Sequence, residues 1–184
     1  MHTPQQTVKE IMDLYQLHGH HQYGEKVTQL QHMVQSARLA EAEGYGEEVI
    51  LAAFLHDIGH FFGKEANDHM GDYGVKSHEQ IGADYLLSKG FSEKIAALVN
   101  GHVAAKRYLT FAQKDYYDRL SEASQQTLIH QGGPMNEAEA DAFKASPYFE
   151  MSIKMREWDE DGKVPENAEH DLEKYAEMMM RHLN

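Results

Sequence analysis

The sequence contains no cysteine, and this absence removes several kinds of chemistry. A chain without cysteine has no disulfide framework, no thiolate nucleophile and no iron–sulfur cluster. Any bound metal must therefore be held by histidine nitrogen and carboxylate oxygen atoms. The chain is rich in both, with 13 histidines and 30 acidic residues among its 184.

Positive charge and long apolar runs are also scarce. The chain has 17 basic residues and a net charge of −13 at pH 7. An acidic surface disfavours nucleic-acid binding, so we expect no nucleic-acid partner. No apolar run has the length of a membrane span, and the N-terminal segment lacks the apolar core of a signal peptide. We therefore expect a cytoplasmic protein without membrane contact.

The apolar residues recur mainly at helical spacing, and no strand pattern of convincing length is present. Val8, Ile11 and Tyr15, for example, lie on one side of a helix. Ser77 and Ser92 are each expected to cap the N-terminus of a helix. A chain of this length fits one domain. We predict a single all-α domain over residues 1–184.

The most informative segment is LAAFLHDIGH, residues 51–60. We predict one helix over residues 47–62, in which His56 and Asp57 are adjacent. An imidazole nitrogen and a carboxylate at one helix end can both reach a single metal ion, and the mixture suits iron, zinc, manganese or nickel. Such a dipeptide often occurs by chance, so its meaning depends on ligands elsewhere in the chain.

Further donors lie on or beside separate predicted helices, and helical bundles build metal sites from such inward-facing side chains. Six donors are too many for one open catalytic metal, but Asp57 has two carboxylate oxygens and can bridge two ions. In the last of these helices, Asp161 is the alternative ligand to Asp159 if the helix register near Trp158 differs from the expected one. We expect a dinuclear site in the core of the bundle, with a first ion on His32, His56, Asp57 and Asp159, and a second on Asp57, His78 and His102.

This pattern resembles the HD-domain superfamily, an all-helical metal-binding fold whose members are mostly phosphohydrolases. A closer similarity is to the small HD-domain oxygenases with a mixed-valent di-iron site, the group typified by 2-amino-1-hydroxyethylphosphonate dioxygenase. Residues 102–106 and 120–135 carry the specific similarity, whereas the His-Asp pair alone indicates only the superfamily. The matching segments cover nearly the whole chain: residues 23–32, 52–60, 78–86, 90–109, 120–135 and 156–160.

The resemblance implies two iron ions as cofactors, in the mixed-valent Fe(II)/Fe(III) state, and O2 as co-substrate. The implied reaction is oxidative cleavage of the C–P bond of a small 1-hydroxyphosphonate to a carboxylic acid and phosphate. The expected substrate is 2-amino-1-hydroxyethylphosphonate or an N-methylated relative, and the acid is then glycine or an analogue. A hydroxylase acting earlier would supply this organophosphonate.

The resemblance also implies roles for individual residues. A tyrosine in the position of Tyr23 can occupy an iron position until substrate displaces it, and a glutamate in the position of Glu25 recognises a substrate amine. Only Gly24 separates the two here, one residue fewer than in the family, so the substituent on the phosphonate remains open. Tyr23, Glu25 and His60 are the implied catalytic residues. The implied substrate-binding residues are these three with Lys106, Ser124, Thr127 and Arg156.

The implied phosphonate site also makes chemical sense. Lys106 follows His102 by one helical turn, and Arg156 shares a helix face with Asp159. Two cations and several hydrogen-bond donors are what a phosphonate dianion requires, and cations are scarce in this chain.

Two other functions are considered. The first is an HD-domain phosphohydrolase acting on a nucleotide or small phosphate ester through metal-activated water. The second is a catalytically inert metal- or ligand-binding regulator. The extra histidines between the His-Asp pair and the final aspartate favour the oxygenase, but they also occur in some di-metal phosphodiesterases. Two irons with a mixed-valent paramagnetic signal would favour the oxygenase, and one manganese or nickel ion would favour hydrolysis.

Overall fold

A computed structural model describes residues 2–63, 68–165 and 171–184. Within these residues the regular structure is helical, and the only β-type pairing is one bridge between His69 and Val75. The predicted all-α fold class is confirmed. The helices are α1 Pro4–His18, α2 Gln29–Ala42, α3 Glu47–Leu55, α4 His78–Ser88, α5 Glu93–Ala112, α6 Tyr116–Arg119, α7 Glu122–His130, α8 Glu137–Lys144, α9 Phe149–Asp161 and α10 Glu173–Leu183.

Side-chain caps fix where several helices begin. Thr28 precedes α2, Ser92 precedes α5 and Ser121 precedes α7, and each hydroxyl accepts a hydrogen bond from the backbone amide three residues later. Ser77 behaves differently, because its φ of 57° is left-handed and its side chain makes no capping bond. The predicted Ser77 cap is therefore wrong, and His78 begins α4 without it.

The predicted continuous helix over residues 47–62 is also wrong, because the chain breaks at the His-Asp pair. The α3 helix ends at Leu55, and a 3-10 turn, Ile58–Phe62, follows Asp57. The Nδ1 atom of His56 lies 2.8 Å from the Ala53 carbonyl oxygen. In a continuous α-helix that carbonyl would accept from the amide of Asp57. The break places His56, Asp57 and the 3-10 turn around one interior point.

A central layer of helices surrounds that point. The α5 helix packs against α4, α3 and α9, while α2 packs against α3 and α9, and α1 and α10 pack together beside them. Every residue of α3 from Val49 to Leu55 is buried. Tyr15, Phe54 and Tyr175 form a stack with ring centroids 4.6 and 4.3 Å apart. The fold thus holds the His-Asp turn against a rigid apolar core.

A helix that crosses a bilayer must be both long and predominantly apolar. None of the helices within residues 2–63, 68–165 and 171–184 is both long enough and apolar enough to do so.

Gly59 allows α4 to approach the His-Asp turn. A Cβ atom at Gly59 would lie 1.9 Å from the His78 carbonyl oxygen and 2.9 Å from the Gly82 amide nitrogen. Both atoms belong to the backbone, so relief requires α4 to move. We predict that Gly59→Ala lowers the free energy of unfolding by about 1–3 kcal/mol, the usual effect of overpacking, as measured by urea denaturation of the metal-free protein.

Gly46→Ala is the matched control, because no atom of residues 2–63, 68–165 and 171–184 lies within 4 Å of a Cβ at Gly46, and the residue has a φ of −72°. We expect it to change stability by less than about 1 kcal/mol. Equal effects of the two substitutions would contradict the proposed close contact between Gly59 and α4.

Candidate metal centre and substrate cavity

The expected metal ligands converge on one buried point. They come from four helices and the turn after α3, and all have at most 7% of their surface exposed. Asp57 lies between the others, with Oδ1 3.3 Å from His78 Nε2 and Oδ2 3.7 Å from His32 Nε2. Asp159 Oδ1 lies 3.2 Å from His32 Nε2. The converging residues are His32, His56, Asp57, His78, His102 and Asp159.

These donors form two groups that share Asp57. The Nε2 atoms of His32 and His56 are 3.1 Å apart, and those of His78 and His102 are also 3.1 Å apart. Each histidine pair forms a group of three residues with Asp57. In each group, one donor atom of every residue lies within 4.8 Å of the donor atoms of the other two. Asp159 joins the first group, whereas Asp161, the alternative to it, is exposed to solvent. Two ions bridged by one carboxylate therefore fit the donors present.

Hydrogen bonds orient the four ligand histidines. Each Nδ1 atom lies close to a backbone carbonyl oxygen, so Nδ1 carries the hydrogen and the Nε2 lone pair faces the centre. Such an outer hydrogen bond is typical of metal-binding histidines. The Nδ1-to-oxygen distances are 3.0 Å for His32 to Gly162, 2.8 Å for His56 to Ala53, 3.2 Å for His78 to Val75 and 2.6 Å for His102 to Val99.

His60 has the opposite arrangement. Its Nδ1 accepts a hydrogen bond from the Val75 amide at 2.8 Å, so in the neutral ring Nε2 carries the hydrogen. That Nε2 lies 3.9 Å from Asp57 Oδ1, and the ring stacks on His78 with centroids 3.9 Å apart. His60 therefore presents a donor to the cavity rather than a lone pair, and it is suited to contact substrate rather than metal.

Burial and neighbouring charges set the protonation of the centre. Burial raises the pKa of Asp57, but the imidazoles of His56, His60 and His78 outweigh it and hold the pKa well below its usual range. Burial, together with the nearby His56, lowers the pKa of His102 to about 3. A carboxylate without its proton and a neutral imidazole are the forms that bind metal ions.

The expected substrate-binding cations line the same cavity as the candidate metal ligands. Lys106 is buried and donates to Thr127 Oγ1 at 2.8 Å. Arg156 is also buried, donating to Asp159 and, at 3.3 Å, to Ser124 Oγ. Burial, helped by Arg156, lowers the pKa of Lys106 to about 7, so an anion bound here would favour the charged ammonium.

Tyr23 and Glu25 line the same space from the loop between α1 and α2. Tyr23 has a φ of 40°, and its hydroxyl lies 3.4 Å from the His60 carbonyl oxygen. Glu25 accepts from Lys163 Nζ at 2.9 Å and from Ser121 Oγ at 2.7 Å. The glutamate expected to contact a substrate amine is thus already paired with a cation.

The centre opens into a cavity that is lined both by metal-ligand candidates and by the expected substrate-binding side chains. Sequence reasoning identified most of its polar lining but missed Lys163, Gln29 and Gln131. Lys163 follows Asp159 by four residues, and its Nζ lies 3.7 Å from Asp159 Oδ1, so helical spacing was an available signal. The same kind of spacing was available for the two glutamines, because Gln131 follows Thr127 by four residues and Gln29 precedes His32 by three.

Helices arranged around two histidine-aspartate groups are the architecture of a metal-binding domain. Comparison with known proteins identifies the family of this domain. Residues 29–140 match the family described as HD domain. The chain belongs to the HD-domain family.

Curated relatives match almost the whole chain. One, 42% identical over 97% of this chain and 83% of its own length, is the uncharacterized protein L432 of Acanthamoeba polyphaga mimivirus. A second is the [1-hydroxy-2-(trimethylamino)ethyl]phosphonate dioxygenase (glycine-betaine-forming) of Leisingera caerulea, 40% identical over 95% of this chain and 89% of the relative. A third is the hydroxymethylphosphonate dioxygenase of Gimesia maris, 38% identical over 94% and 86% of the respective chains.

The shared position of Asp57 predicts how the two metal groups respond to substitution. Asp57→Ala removes a donor from both groups, so both ions should be lost on dialysis. His78→Ala should spare the ion on His32 and His56 and weaken the second ion. Elemental analysis of the dialysed proteins measures this, and equal loss of both ions from the His78 variant would contradict two separable groups.

His60→Ala is the matched control, because its Nδ1 already accepts the Val75 amide. It removes a buried imidazole from the same cavity, yet we expect the variant to retain both ions.

Proposed function

We propose that this protein is a di-iron oxygenase that cleaves the C–P bond of a small 1-hydroxyphosphonate with O2. The products are a carboxylic acid and phosphate, and these products account for all the atoms of the hydroxyphosphonate and one O2. The observation that carries the proposal is the shared cavity. Two metal-ligand groups joined by Asp57 face the same space as two buried cations, Lys106 and Arg156.

The donor set supports two iron ions. Imidazole and carboxylate ligands suit iron, and His32, His56, Asp57 and Asp159 would hold one ion while Asp57, His78 and His102 would hold the other. When bound, the mixed-valent pair would supply the place where O2 binds and the redox chemistry that removes hydrogen from C1. The second group has fewer protein ligands, which leaves it the more open to substrate.

The protein side chains would bind and orient the phosphonate. Arg156 and Ser124 lie together on one side of the cavity, and Lys106 and Thr127 form a second donor pair. A dianion held by both pairs is desolvated and fixed, and fixing it aligns C1 with the metal centre. His60 adds a neutral hydrogen-bond donor to the same cavity.

The names of two relatives support the substrate class. The compounds in those names carry a hydroxyl on the carbon next to the phosphonate, and they differ in the substituent, which is trimethylaminomethyl in one and hydrogen in the other. The shared part of the two molecules is the part that Lys106, Arg156 and the metal groups would contact here.

Phosphate release tests the proposal directly. The iron-loaded protein is incubated with hydroxymethylphosphonate, 2-amino-1-hydroxyethylphosphonate and its N-trimethyl derivative, each with and without O2. We expect O2-dependent phosphate release from at least one of these compounds. Phosphate release from a phosphate ester without O2, with none from the hydroxyphosphonates, would instead identify a phosphohydrolase.

Lys106 provides a quantitative test of phosphonate binding. Lys106→Ala removes a charge-assisted hydrogen bond worth about 1.5–3 kcal/mol, so kcat/KM should fall roughly ten- to a hundredfold. We expect KM to rise and kcat to fall, because the anchor also positions C1. Steady-state kinetics measures both constants. Iron content should not change, since Lys106 contacts Thr127 and not a metal ligand.

Lys114→Ala is the matched control, because Lys114 is exposed and outside the cavity. It should have no effect on either constant, and a similar loss in both variants would argue for a general effect of net charge.

Glu25 tests which substituent the cavity accepts. Glu25→Gln keeps the shape of the side chain and removes its charge. If Glu25 recognises an ammonium group, the variant loses activity on 2-amino-1-hydroxyethylphosphonate and keeps it on hydroxymethylphosphonate. We expect this change in preference, measured as the ratio of the two kcat/KM values. An unchanged ratio would show that Glu25 does not contact the substrate amine and only accepts hydrogen bonds from Lys163 and Ser121.

A further inference from the structure

Two residues of α7 and the residue that follows its C-terminus supply three polar side chains to the cavity. Ser124, Thr127 and Gln131 follow one another at intervals of three and four residues, and all three line the space beside the metal ligands. The first two already contact cations, Ser124 with Arg156 and Thr127 with Lys106. Gln131 stands one turn beyond Thr127 on the same face.

The Gln131 carboxamide is buried without a partner. Both Nε2 and Oε1 are shielded from solvent, and neither forms a hydrogen bond in the part of the chain that the structure describes. Buried amides are almost always hydrogen-bonded, because desolvating them without compensation is unfavourable. A group of this kind facing a cavity lined by cations indicates a ligand that satisfies it.

The backbone around Gln131 is held in place. Gly132 and Gly133 have φ values of 97° and 70°, which end α7 in a tight turn, and the Gly133 amide donates to Leu128 at 2.9 Å. Arg107 Nε donates to the Gly133 carbonyl at 2.9 Å, and the Met135 amide donates to the Arg107 carbonyl at 3.2 Å. The turn is thus tied to α5 at the residue after Lys106, which fixes Gln131 relative to that ammonium.

We propose that Gln131 is a further substrate-binding residue that contacts the anionic end of the substrate. Its Nε2 donates to a phosphonate oxygen, and its Oε1 accepts from a P–OH group when the phosphonate is protonated. The carboxamide can therefore also accept from the P–OH group of the monoanion, which Lys106 and Arg156 cannot do because they only donate. This inference rests on the proposed phosphonate substrate and names a residue that selects for it.

The test compares anion binding with stability. Titration calorimetry measures the Kd of hydroxymethylphosphonate under anaerobic conditions, and of inorganic phosphate, for the metal-loaded wild-type protein and Gln131→Leu. We expect Kd to rise about tenfold or more, the usual effect of losing a hydrogen bond to a charged group. Without ligand, the Tm of Gln131→Leu should be unchanged or higher, because an unpartnered buried amide has been removed. Metal content should stay the same.

Two further variants make the result specific. Gln126→Leu is the matched control, since Gln126 lies on α7 outside the cavity lining, and its Kd should equal that of the wild type. Gln131→Glu keeps the shape and places a negative charge beside the anion. It should bind both anions more weakly than Gln131→Leu while remaining folded.

The outcomes separate this inference from the proposed function. If Lys106→Ala weakens binding but Gln131→Leu does not, the role of Gln131 is overturned and the phosphonate site stands. If Gln131→Leu lowers Tm and leaves Kd unchanged, the amide has a structural role and the inference also fails. If the wild-type protein binds neither anion, both the inference and the proposed substrate class are wrong.

Discussion

The structure depends on the sharing of one carboxylate between two groups of buried histidines. Asp57 Oδ1 lies 3.3 Å from His78 Nε2 and 3.6 Å from His102 Nε2, while Oδ2 lies 3.7 Å from His32 Nε2. Burying so many imidazoles is unfavourable if they become charged and repel one another. The anion between them keeps the cluster together, and backbone carbonyls fix the histidine tautomers so that their lone pairs point toward it.

The other charged side chains of the cavity are arranged so that positive and negative groups lie next to each other. Two buried cations, Lys106 and Arg156, lie next to the metal ligands, and they are tolerated because carboxylates and hydroxyls surround them. Arg156 donates to Asp159 and, at 2.9 Å, to Glu160 Oε1, while Lys163 spans Glu25 and Ser124. The interior is therefore strongly polar but nearly compensated before substrate enters. A phosphonate dianion would place its negative charge next to these two cations.

Several features of the cavity are unfavourable for folding alone. The carboxamide of Gln131 and the Oε1 atom of Gln29 are buried without hydrogen-bond partners among the described residues, and Tyr23 holds a left-handed backbone conformation. Functional sites commonly keep such groups because ligand binding, not folding, satisfies them. The apolar core around α3, in which every residue from Val49 to Leu55 is buried, provides the stability that permits them.

The sequence by itself determined the helical class and the donor types, because these depend on local periodicity and on the absence of cysteine. Ser92 caps its helix through a contact within three residues, and such a contact can be predicted from sequence. Only the tertiary structure decided the break at His56, since it accompanies the approach of α4 to Gly59 from a distant part of the chain. It likewise decided that Asp159 faces the centre while Asp161 faces solvent. The pairing of Glu25 with Lys163 joins residues 138 positions apart, and no local pattern specifies which cation a distant carboxylate will meet.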